Sequence, residues 1–444
     1  MTNFFKFTLF VLFSCSTYAQ IIPVGSGSYT NTFPGSDSAG RNEYPGGSPQ
    51  LSGVAQSKPI PTNDWWSLLL RDDHVSNLFN YPFTMRTTTA GLGITYIPFG
   101  VVGDRQTINV GVQNLNSSRA TVSNHSDWTV SMEWSANGRY LSATSGIGMP
   151  FIYLKKGSSD VASVEVKAGT ATLHGEMILI ENAQDGVDYA IYAPTGSSWT
   201  QNGAVYTSTL NGKDYWSVVM LPQSNTNALQ IANTYKKFAY VFPSNTTVNW
   251  NFNENTSVLR TDFEITPDVK EGTYNTVLQG LLPHQWSHLA SDSPSPNRET
   301  YSSIRGDLKM LDGNAFATEN AFYGILPTLP YLANYSDSFN PSDMGSKVNL
   351  LENDALATWT DSYNEGQMMN RLVQTARIAH KIGDTEARDK MIATVKERLE
   401  DWLSYESGEV AFLFYYNNAW STLIGYPGGH GQDSNINDHH FHWG

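Results

Sequence analysis

Short runs in which apolar and polar residues alternate fill the chain from about residue 58 to residue 282. In the run from Thr129 to Trp134, the side chains of Val130, Met132 and Trp134 fall on one face, and the residues between them fall on the other. A strand that buries one face and exposes the other has this period of two. Because no long stretch in this region keeps a helical period, the pattern predicts an antiparallel β-sandwich or barrel.

Two further signals support strands in this region. Leu259, Thr261, Phe263 and Ile265 alternate with charged residues, and Asp185-Gly186 separates two apolar runs. Asp-Gly favours a tight hairpin because both positions tolerate a positive φ. The Trp pair at residues 65–66, followed by Ser and three Leu, is interpreted as the first strand of the core.

A helical period begins near Asn364. Apolar residues then recur at steps of three and four, and Gly383 follows as a helix stop. Asp384 and Glu386 suit the positive end of a second helix. The predicted apolar positions are Met368, Leu372, Ala376, Ala379 and Ile382 in the first helix, and Met391, Val395, Leu399 and Trp402 in the second. Such a short connection predicts an αα-hairpin.

The remaining segments complete the predicted domain organisation. Residues 20–57 are rich in Gly, Ser, Pro and Asn and are interpreted as a flexible linker or arm. Pro and Gly break long elements between residues 283 and 350, which predicts a small connecting domain. The predicted order is a signal peptide (1–19), the arm (20–57), a β-sandwich (58–282), the linking domain (283–350) and an incomplete helical domain (351–444).

The N-terminus has the features of an export signal. A basic residue precedes an apolar run, and Thr17 and Ala19 occupy the small-residue positions of a cleavage site before Gln20. The run is too short to span a bilayer, so we expect a secreted protein without a membrane span. A lipoprotein signal that ends at Cys15 is the alternative. Cys15 is the single cysteine, so cleavage after Ala19 would leave no thiol for disulfides or thiolate catalysis.

The overall charge excludes one class of partner. The chain has 444 residues and a formal net charge of −14, with 15% charged residues and abundant aromatic residues. Nucleic-acid binding requires a basic field that displaces counterions from phosphates, so no nucleic-acid partner is expected. The composition is typical of an exported, β-rich protein that contacts sugars.

Candidate chemistry is concentrated at the C-terminal end of the chain. The stretch from residue 425 to residue 444 holds Asp and His residues behind a Gly-rich turn. Proton transfer, metal ligation and recognition of a polar substrate all need such converging groups. Asp438 and His442 are four residues apart and would share a helix face. Asp438, His440, His442 and His430 could together ligate a metal, although no established metal-binding spacing is present.

Six separated segments stand out as a set of motifs: Lys58–Trp66, Ser126–Val130, Leu282–Trp286, Arg305-Gly306, Asp361–Gly366 and Asn437–Gly444. In this order, they resemble the motifs of glycoside hydrolase family 81, whose members are endo-β-1,3-glucanases. The similarity runs from about residue 58 to the end of the chain. Asn437 to Gly444 departs from the family form only at Trp443, where Tyr is usual.

The resemblance implies an N-terminal β-sandwich, a small α/β linking domain and a C-terminal (α/α)6 barrel. It also implies hydrolysis of internal β-1,3-glucosidic bonds in β-1,3-glucan with inversion and without a cofactor or catalytic metal, Asp438 being the general acid. The other substrate-contacting candidates are His440, His442, Asp433, Trp420, Tyr426 and Trp443. The three aromatic residues could stack on sugar rings, and Asp433 could contact sugar hydroxyls or simply end the loop.

An inverting glycosidase needs a second carboxylate, roughly 6.5–9.5 Å from the acid, to activate water. In the family this base is a Glu that follows the His-rich block. None of the carboxylates before the block matches that motif, so we expect a C-terminally truncated and inactive fragment. The alternatives are a non-catalytic β-glucan-binding protein and a metal-dependent exported hydrolase.

Overall fold

The structure is a computed structural model that describes residues 20–35, 45–96, 106–183, 186–223, 227–323, 337–356 and 361–431. Its backbone contacts divide the chain into two compact units. The β-rich unit comprises residues 49–327. The helical unit comprises residues 1–48 together with residues 328–444.

Twenty-one strands of the described chain belong to the β-rich unit. They are β3 Leu78–Phe79, β4 Thr84–Thr88, β5 Gly91–Thr95, β6 Ile108–Val112, β7 Thr121–His125, β8 Thr129–Ala136, β9 Arg139–Gly146, β10 Phe151–Lys156, β11 Ala162–Val166, β12 Thr170–His174, β13 Met177–Glu181, β14 Asp188–Tyr192, β15 Thr200–Asn202, β16 Val205–Ser208, β17 Tyr215–Leu221, β18 Val241–Asn253, β19 Val258–Val269, β20 Leu278–Leu281, β21 Thr300–Tyr301, β22 Leu308–Asp312 and β23 Ala315–Ala321. Two short helices accompany them, α1 Ala228–Tyr235 and α2 Pro283–Trp286.

Two large antiparallel sheets form the core of this unit. One has eight strands in the order β12-β13-β14-β17-β10-β9-β8-β7, and the other has seven in the order β15-β16-β11-β6-β5-β4-β3. The indole of Trp134 on β8 donates a hydrogen bond to the carbonyl of Thr88 on β4 (3.0 Å), which links the two sheets. The predicted sandwich-like β architecture is therefore confirmed.

The alternation predicted for β8 is present. Val130, Met132 and Trp134 are fully buried, whereas Ser131 and Glu133 are partly exposed. β13 and β14 form the predicted hairpin, with Ile180 paired to Tyr189, but β13 ends at Glu181 and β14 begins at Asp188, so the connection is longer than the tight turn expected at residues 185–186. Asp185 itself lies outside the described residues.

The first strand predicted after Trp65-Trp66 is wrong. Ser67–Leu70 form a 3-10 helix, although Trp66 is fully buried as expected. The reason is local, since the Ser67 hydroxyl accepts from the Asp64 N–H (2.7 Å) and donates to the Pro61 carbonyl (2.7 Å). Such side-chain bonds to the backbone favour a turn over a strand.

Two three-stranded sheets complete the unit, β18-β19-β23 and β20-β22-β21. The alternating face predicted for β19 is only partly buried: Ile265 is buried, but Leu259, Thr261 and Phe263 are half-exposed. A period of two fixes which residues share a face, but it does not determine how completely that face is covered.

The helical unit contains three described helices and four described strands. They are β1 Ile21–Val24, β2 Gly27–Thr30, α3 Pro341–Asn349, α4 Ser362–Ile382, α5 Thr385–Trp402, β24 Leu413–Asn417 and β25 Thr422–Tyr426. The four strands form one sheet in the order β1-β2-β24-β25. Part of the segment expected to be a flexible arm is thus ordered. β1 and β2 form a hairpin, and β2 joins it to the rest of the sheet by pairing with β24 through Thr30 and Tyr415.

The predicted αα-hairpin is confirmed. Asp361 caps α4 by accepting a hydrogen bond from the Asn364 N–H (3.0 Å), and Gly383 ends α4 with φ at 84°. Asp384 caps α5 in the same way through the Ala387 N–H (3.0 Å). In the described part of the chain, no helix is both long and apolar enough to cross a bilayer.

Candidate active site

Most of the predicted site lies outside the described residues. Residues 432–444 are not described, so the structure does not place Asp433, Asp438, His440, His442 or Trp443. The described residues that precede this segment in the chain are the β24–β25 hairpin and residues 427–431, which contact the first turn of α4.

The β24–β25 hairpin leads the chain towards this site. Leu413 pairs with Tyr426 and Asn417 pairs with Thr422. At the tip, the Asn417 side-chain oxygen accepts from the backbone N–H groups of Ala419 (2.9 Å) and Trp420 (3.2 Å). An Asn side chain that bonds to the backbone two or three residues later stabilises a turn.

Trp420 and Tyr426 do not support the predicted role as sugar platforms. Their side chains are only 2% and 7% exposed. The Tyr426 ring meets the ring of Phe33 edge to face at 5.5 Å. A sugar stacks on an accessible ring face, so both residues act as core residues of the helical unit in this structure.

A polar cluster joins the end of the described chain to the first turn of α4. The Asn364 amide nitrogen lies 2.8 Å from the Asp361 carboxylate and 3.1 Å from His430 Nε2. The His430 ring also packs against Tyr363, with 4.0 Å between ring centroids. If the amide donates both bonds, His430 Nε2 is an unprotonated acceptor.

Close packing also holds Gly429, the residue before His430, in place. A Cβ atom on Gly429 would lie 2.7 Å from the Asp361 side chain, so glycine is the residue that fits there. Residues 429–430 are therefore held directly before the His-rich block. The sequence predicted His430 only as a possible metal ligand. Its contact with the first turn of α4 joins positions 66 residues apart and was not predicted.

A buried ion pair connects α4 and α5. Glu365 is 1% exposed, and the Nε atom of Arg398 lies 3.2 Å from its carboxylate. Burial raises the pKa of Glu365 to about 7, Arg398 opposes this rise, and the charges of Asp401 and Asp361 add to it. The Arg398 guanidinium also lies over the Phe412 ring at 4.2 Å.

Arg398 also lines an acidic cavity of about 720 Å³. Besides Arg398, it is lined by the carboxylates of Glu397, Glu400, Asp401, Glu406 and Glu409. Burial raises the pKa of Glu409, whose carboxylate accepts a hydrogen bond from the Glu406 N–H (3.0 Å). Among the described residues, no group of three or more His, Cys, Asp or Glu side chains is arranged to hold a metal ion.

The chain is similar to two curated glycosidases along most of its length, although no family model matches it. It is 30% identical over 449 aligned residues to a glucan endo-1,3-beta-D-glucosidase of Thermobifida fusca, covering 97% of this chain and 57% of the relative. It is 32% identical over 404 residues to a protein of the same name from Acetivibrio thermocellus, covering 87% of this chain and 50% of the relative. The chain thus spans about half the length of these relatives.

The fold is similar to a solved structure of a mutant glycoside hydrolase family 81 protein from Clostridium thermocellum. The TM-score is 0.76 at 30% identity, and the match covers 96% of this chain and 59% of that one. The agreement of sequence and fold over nearly the whole chain supports the assignment suggested by the motifs at residues 58–66, 282–286 and 361–366. The chain belongs to glycoside hydrolase family 81.

Proposed function

We propose that this chain is part of an exported endo-β-1,3-glucanase that hydrolyses internal β-1,3 bonds with inversion. The observation that supports this proposal best is the identity of 30–32% to two glucan endo-1,3-beta-D-glucosidases over 87–97% of the chain. The apolar run before Ala19 supports export.

The proposed acid is Asp438, and the proposed substrate contacts are Asp433, His440, His442 and Trp443. The acid protonates the glycosidic oxygen as the bond to the anomeric carbon breaks, while a base on the opposite face activates water. His430 packs on Tyr363 and hydrogen-bonds to Asn364. These contacts support the proposal, because they hold in place the residues that lead into the segment with Asp433 and Asp438.

The catalytic base is proposed to lie outside the 444 residues. Glu365 is the described carboxylate whose pKa of about 7 most resembles that of a proton-transfer group. Its burial against Arg398 argues against that role, because the base of an inverting enzyme must reach a water molecule beside the sugar.

We propose that α4 and α5 form the first hairpin of an (α/α)6 barrel. The support is an apolar groove of about 310 Å³ along the two helices. Ile392 is 50% exposed, Leu399 is 43% exposed and Leu403 is 53% exposed. In an (α/α)6 barrel, such a face would pack against neighbouring helices.

Binding and bond cleavage by residues 20–444 test this proposal together. We expect binding to the β-1,3-glucan laminarin but not to a β-1,4-glucan, measured by affinity electrophoresis, and very little release of reducing ends. Failure to bind laminarin would contradict the proposed substrate. Rapid release of reducing ends would show that the base lies within the chain.

Two rivals are separated by simple controls. When a base is supplied, Asp438→Asn should remove turnover and leave affinity for laminarin unchanged, whereas a pure glucan-binding protein has no turnover to lose. A metal-dependent hydrolase would be inactivated by EDTA, and we expect EDTA to have no effect.

A further inference from the structure

Two adjoining cavities lie within the β-rich unit. The larger, about 660 Å³, is lined by residues 58–61, 125–127 and 245–248 among others, and the smaller, about 260 Å³, by Trp128, Phe263 and Phe316 among others. Both are lined by Asp127 and Val248. They bring together three segments singled out in the sequence, residues 58–66, 126–130 and 282–286, that the proposed catalysis does not use.

Asp127 is held firmly between the two cavities. Its N–H donates to the Thr246 carbonyl (3.3 Å), and its Oδ2 accepts from the Val248 N–H (2.5 Å). The neighbouring Ser126 hydroxyl hydrogen-bonds to the Thr246 hydroxyl at 2.7 Å. The Oδ1 atom of Asp127 has no hydrogen-bond partner among the described residues, so a fixed and exposed acceptor stands where the cavities meet.

The smaller cavity has an aromatic wall. Phe263 on β19 stacks on Phe316 of β23 with 4.5 Å between ring centroids, and Trp128 meets Phe263 edge to face at 6.0 Å. Trp128 and Phe263 are half-buried, so part of each ring remains accessible. This wall belongs to the face of β19 that its sequence predicted to be buried.

Two glutamines complete the lining. Gln279 is 4% exposed, and its Nε2 donates to the Gly313 carbonyl (2.7 Å), which leaves its side-chain oxygen without a partner among the described residues. The Gln285 oxygen accepts from the Leu282 N–H (2.9 Å), and its Nε2 has no hydrogen-bond partner in the part of the chain that the structure describes. The Gln279 oxygen and the Gln285 nitrogen are thus placed to hydrogen-bond a ligand in the cavity.

We propose that the smaller cavity is a second, non-catalytic binding site for a β-1,3-glucan chain. One sugar ring packs its C–H face on Trp128 and Phe263, and its hydroxyls bond to Asp127, Gln279 and Gln285. The chain continues past Asp127 into the larger cavity. The choice of a β-1,3-glucan as the ligand rests on the proposed function.

The chemistry of the lining favours a neutral sugar. A sugar hydroxyl both donates and accepts. Within the described ranges, the cavity offers acceptors without partners on Asp127 and Gln279 and a donor without a partner on Gln285. Mostly apolar walls with a few placed polar groups are typical of small-ligand sites. Asp127 is the one charged residue among the residues that line the smaller cavity, so an anionic ligand would be repelled rather than bound.

Calorimetry with a linear β-1,3-linked glucose hexasaccharide tests the proposal on residues 20–444. We expect Trp128→Ala to weaken one binding event by about tenfold or more, because the stacking surface is lost. Gln285→Glu should weaken the same event, since it keeps the bond from the Leu282 N–H but replaces the free donor with an acceptor. This second variant keeps the side-chain volume, so the test does not depend on tolerance of the Trp128 truncation.

The matched control is Trp250→Ala, which removes a 72% exposed indole from the sheet that carries Phe263 and Phe316. We expect its affinity to equal that of the unsubstituted chain. Unchanged binding in both Trp128→Ala and Gln285→Glu, or an equal loss in Trp250→Ala, would overturn the assignment of the site. The chain could bind the hexasaccharide at this site and yet cleave no β-1,3-glucan, even when a base is supplied from solution. In that case the binding site would stand and the proposed catalysis would fail.

Discussion

The two units of the chain differ in how completely they bury their apolar residues. In the β-rich unit, Trp134, Trp216 and Phe151 are fully buried between or against sheets. In the helical unit, α4 and α5 bury Leu372, Ala379 and Met391 between them, whereas Ile392, Leu399 and Leu403 remain about half-exposed. Regular secondary structure does not by itself give a fully covered core. In the described residues, the helical unit has regular helices, but one apolar face of α5 is not covered.

The contrast predicts where stability is located. Burial of apolar area is the main favourable contribution to folding, so core substitutions in the β-rich unit should have the largest effects. Substitutions on the exposed face of α5 should have little effect. The four predictions that follow test this contrast in order of expected size.

Trp134→Ala should lower the free energy of unfolding by about 4 kcal/mol, because it removes a large, fully buried side chain and its hydrogen bond to Thr88. Urea unfolding followed by circular dichroism measures the change. Trp250→Ala is the matched control and should stay within about 0.5 kcal/mol. Equal effects of the two substitutions would contradict the burial pattern of the β-rich unit.

Arg398→Met should lower the free energy of unfolding by about 3 kcal/mol at pH 8, because it leaves the Glu365 carboxylate buried without its cation. The loss should shrink as the pH falls below about 7, because Glu365 then becomes protonated in the folded state and no buried charge is left without its cation. Lys396→Met, which removes an exposed partner of Glu400, is the control and should change little. A loss that does not depend on pH would indicate a packing effect of Arg398 instead.

Glu365 should also make the stability of the native sequence depend on pH. Burial raises its pKa from 4.5 to about 7, so the folded state binds this proton more tightly than the unfolded state. The stabilisation is complete below about pH 4.5 and is lost as the pH rises through 7, a difference of about 3 kcal/mol. Thermal unfolding of Glu365→Gln, which does not titrate at this position, should lack this part of the pH dependence.

Leu399→Gln should change the free energy of unfolding by less than about 1 kcal/mol, because the side chain is 43% exposed. Leu372→Ala, at a fully buried position between α4 and α5, should cost about 3 kcal/mol. Urea unfolding compares the two. A large loss for Leu399→Gln would show that this face is covered in solution.

Sequence patterns predicted the helices and strands well where the local structure depends on residues that are close together in the chain. Asp361, Gly383 and Asp384 cap or end α4 and α5 as their positions in the sequence suggest. The hairpin of β1 and β2 was missed inside a Gly- and Ser-rich segment, although Gly25-Ser26 is a two-residue turn signal. Its pairing with β24 is remote in sequence, and composition carries no information about such a pairing.

The candidate site was predictable in chemistry but not in geometry. The family motif singled out Asp438, which lies outside the described residues. The pairing of Glu365 with Arg398 joins two helices, and the burial of Trp420 and Tyr426 depends on residues far away in the chain. Side-chain type indicates what a residue can do, whereas tertiary packing decides whether its functional atoms are accessible.

The central claim is that Asp438 protonates the leaving oxygen of a β-1,3-glucan and that its partner base is not among these residues. Sodium azide tests it directly, because azide is a nucleophile that needs no base to activate it and can therefore replace water. Azide forms a bond to the anomeric carbon as the glycosidic bond breaks and the proton passes from Asp438 to the leaving oxygen. We predict that residues 20–444 cleave laminarin only with azide, that nuclear magnetic resonance shows an α-glycosyl azide product, and that Asp438→Asn forms none. Azide-dependent cleavage that persists in Asp438→Asn, or no azide product from the unsubstituted chain, would contradict the account.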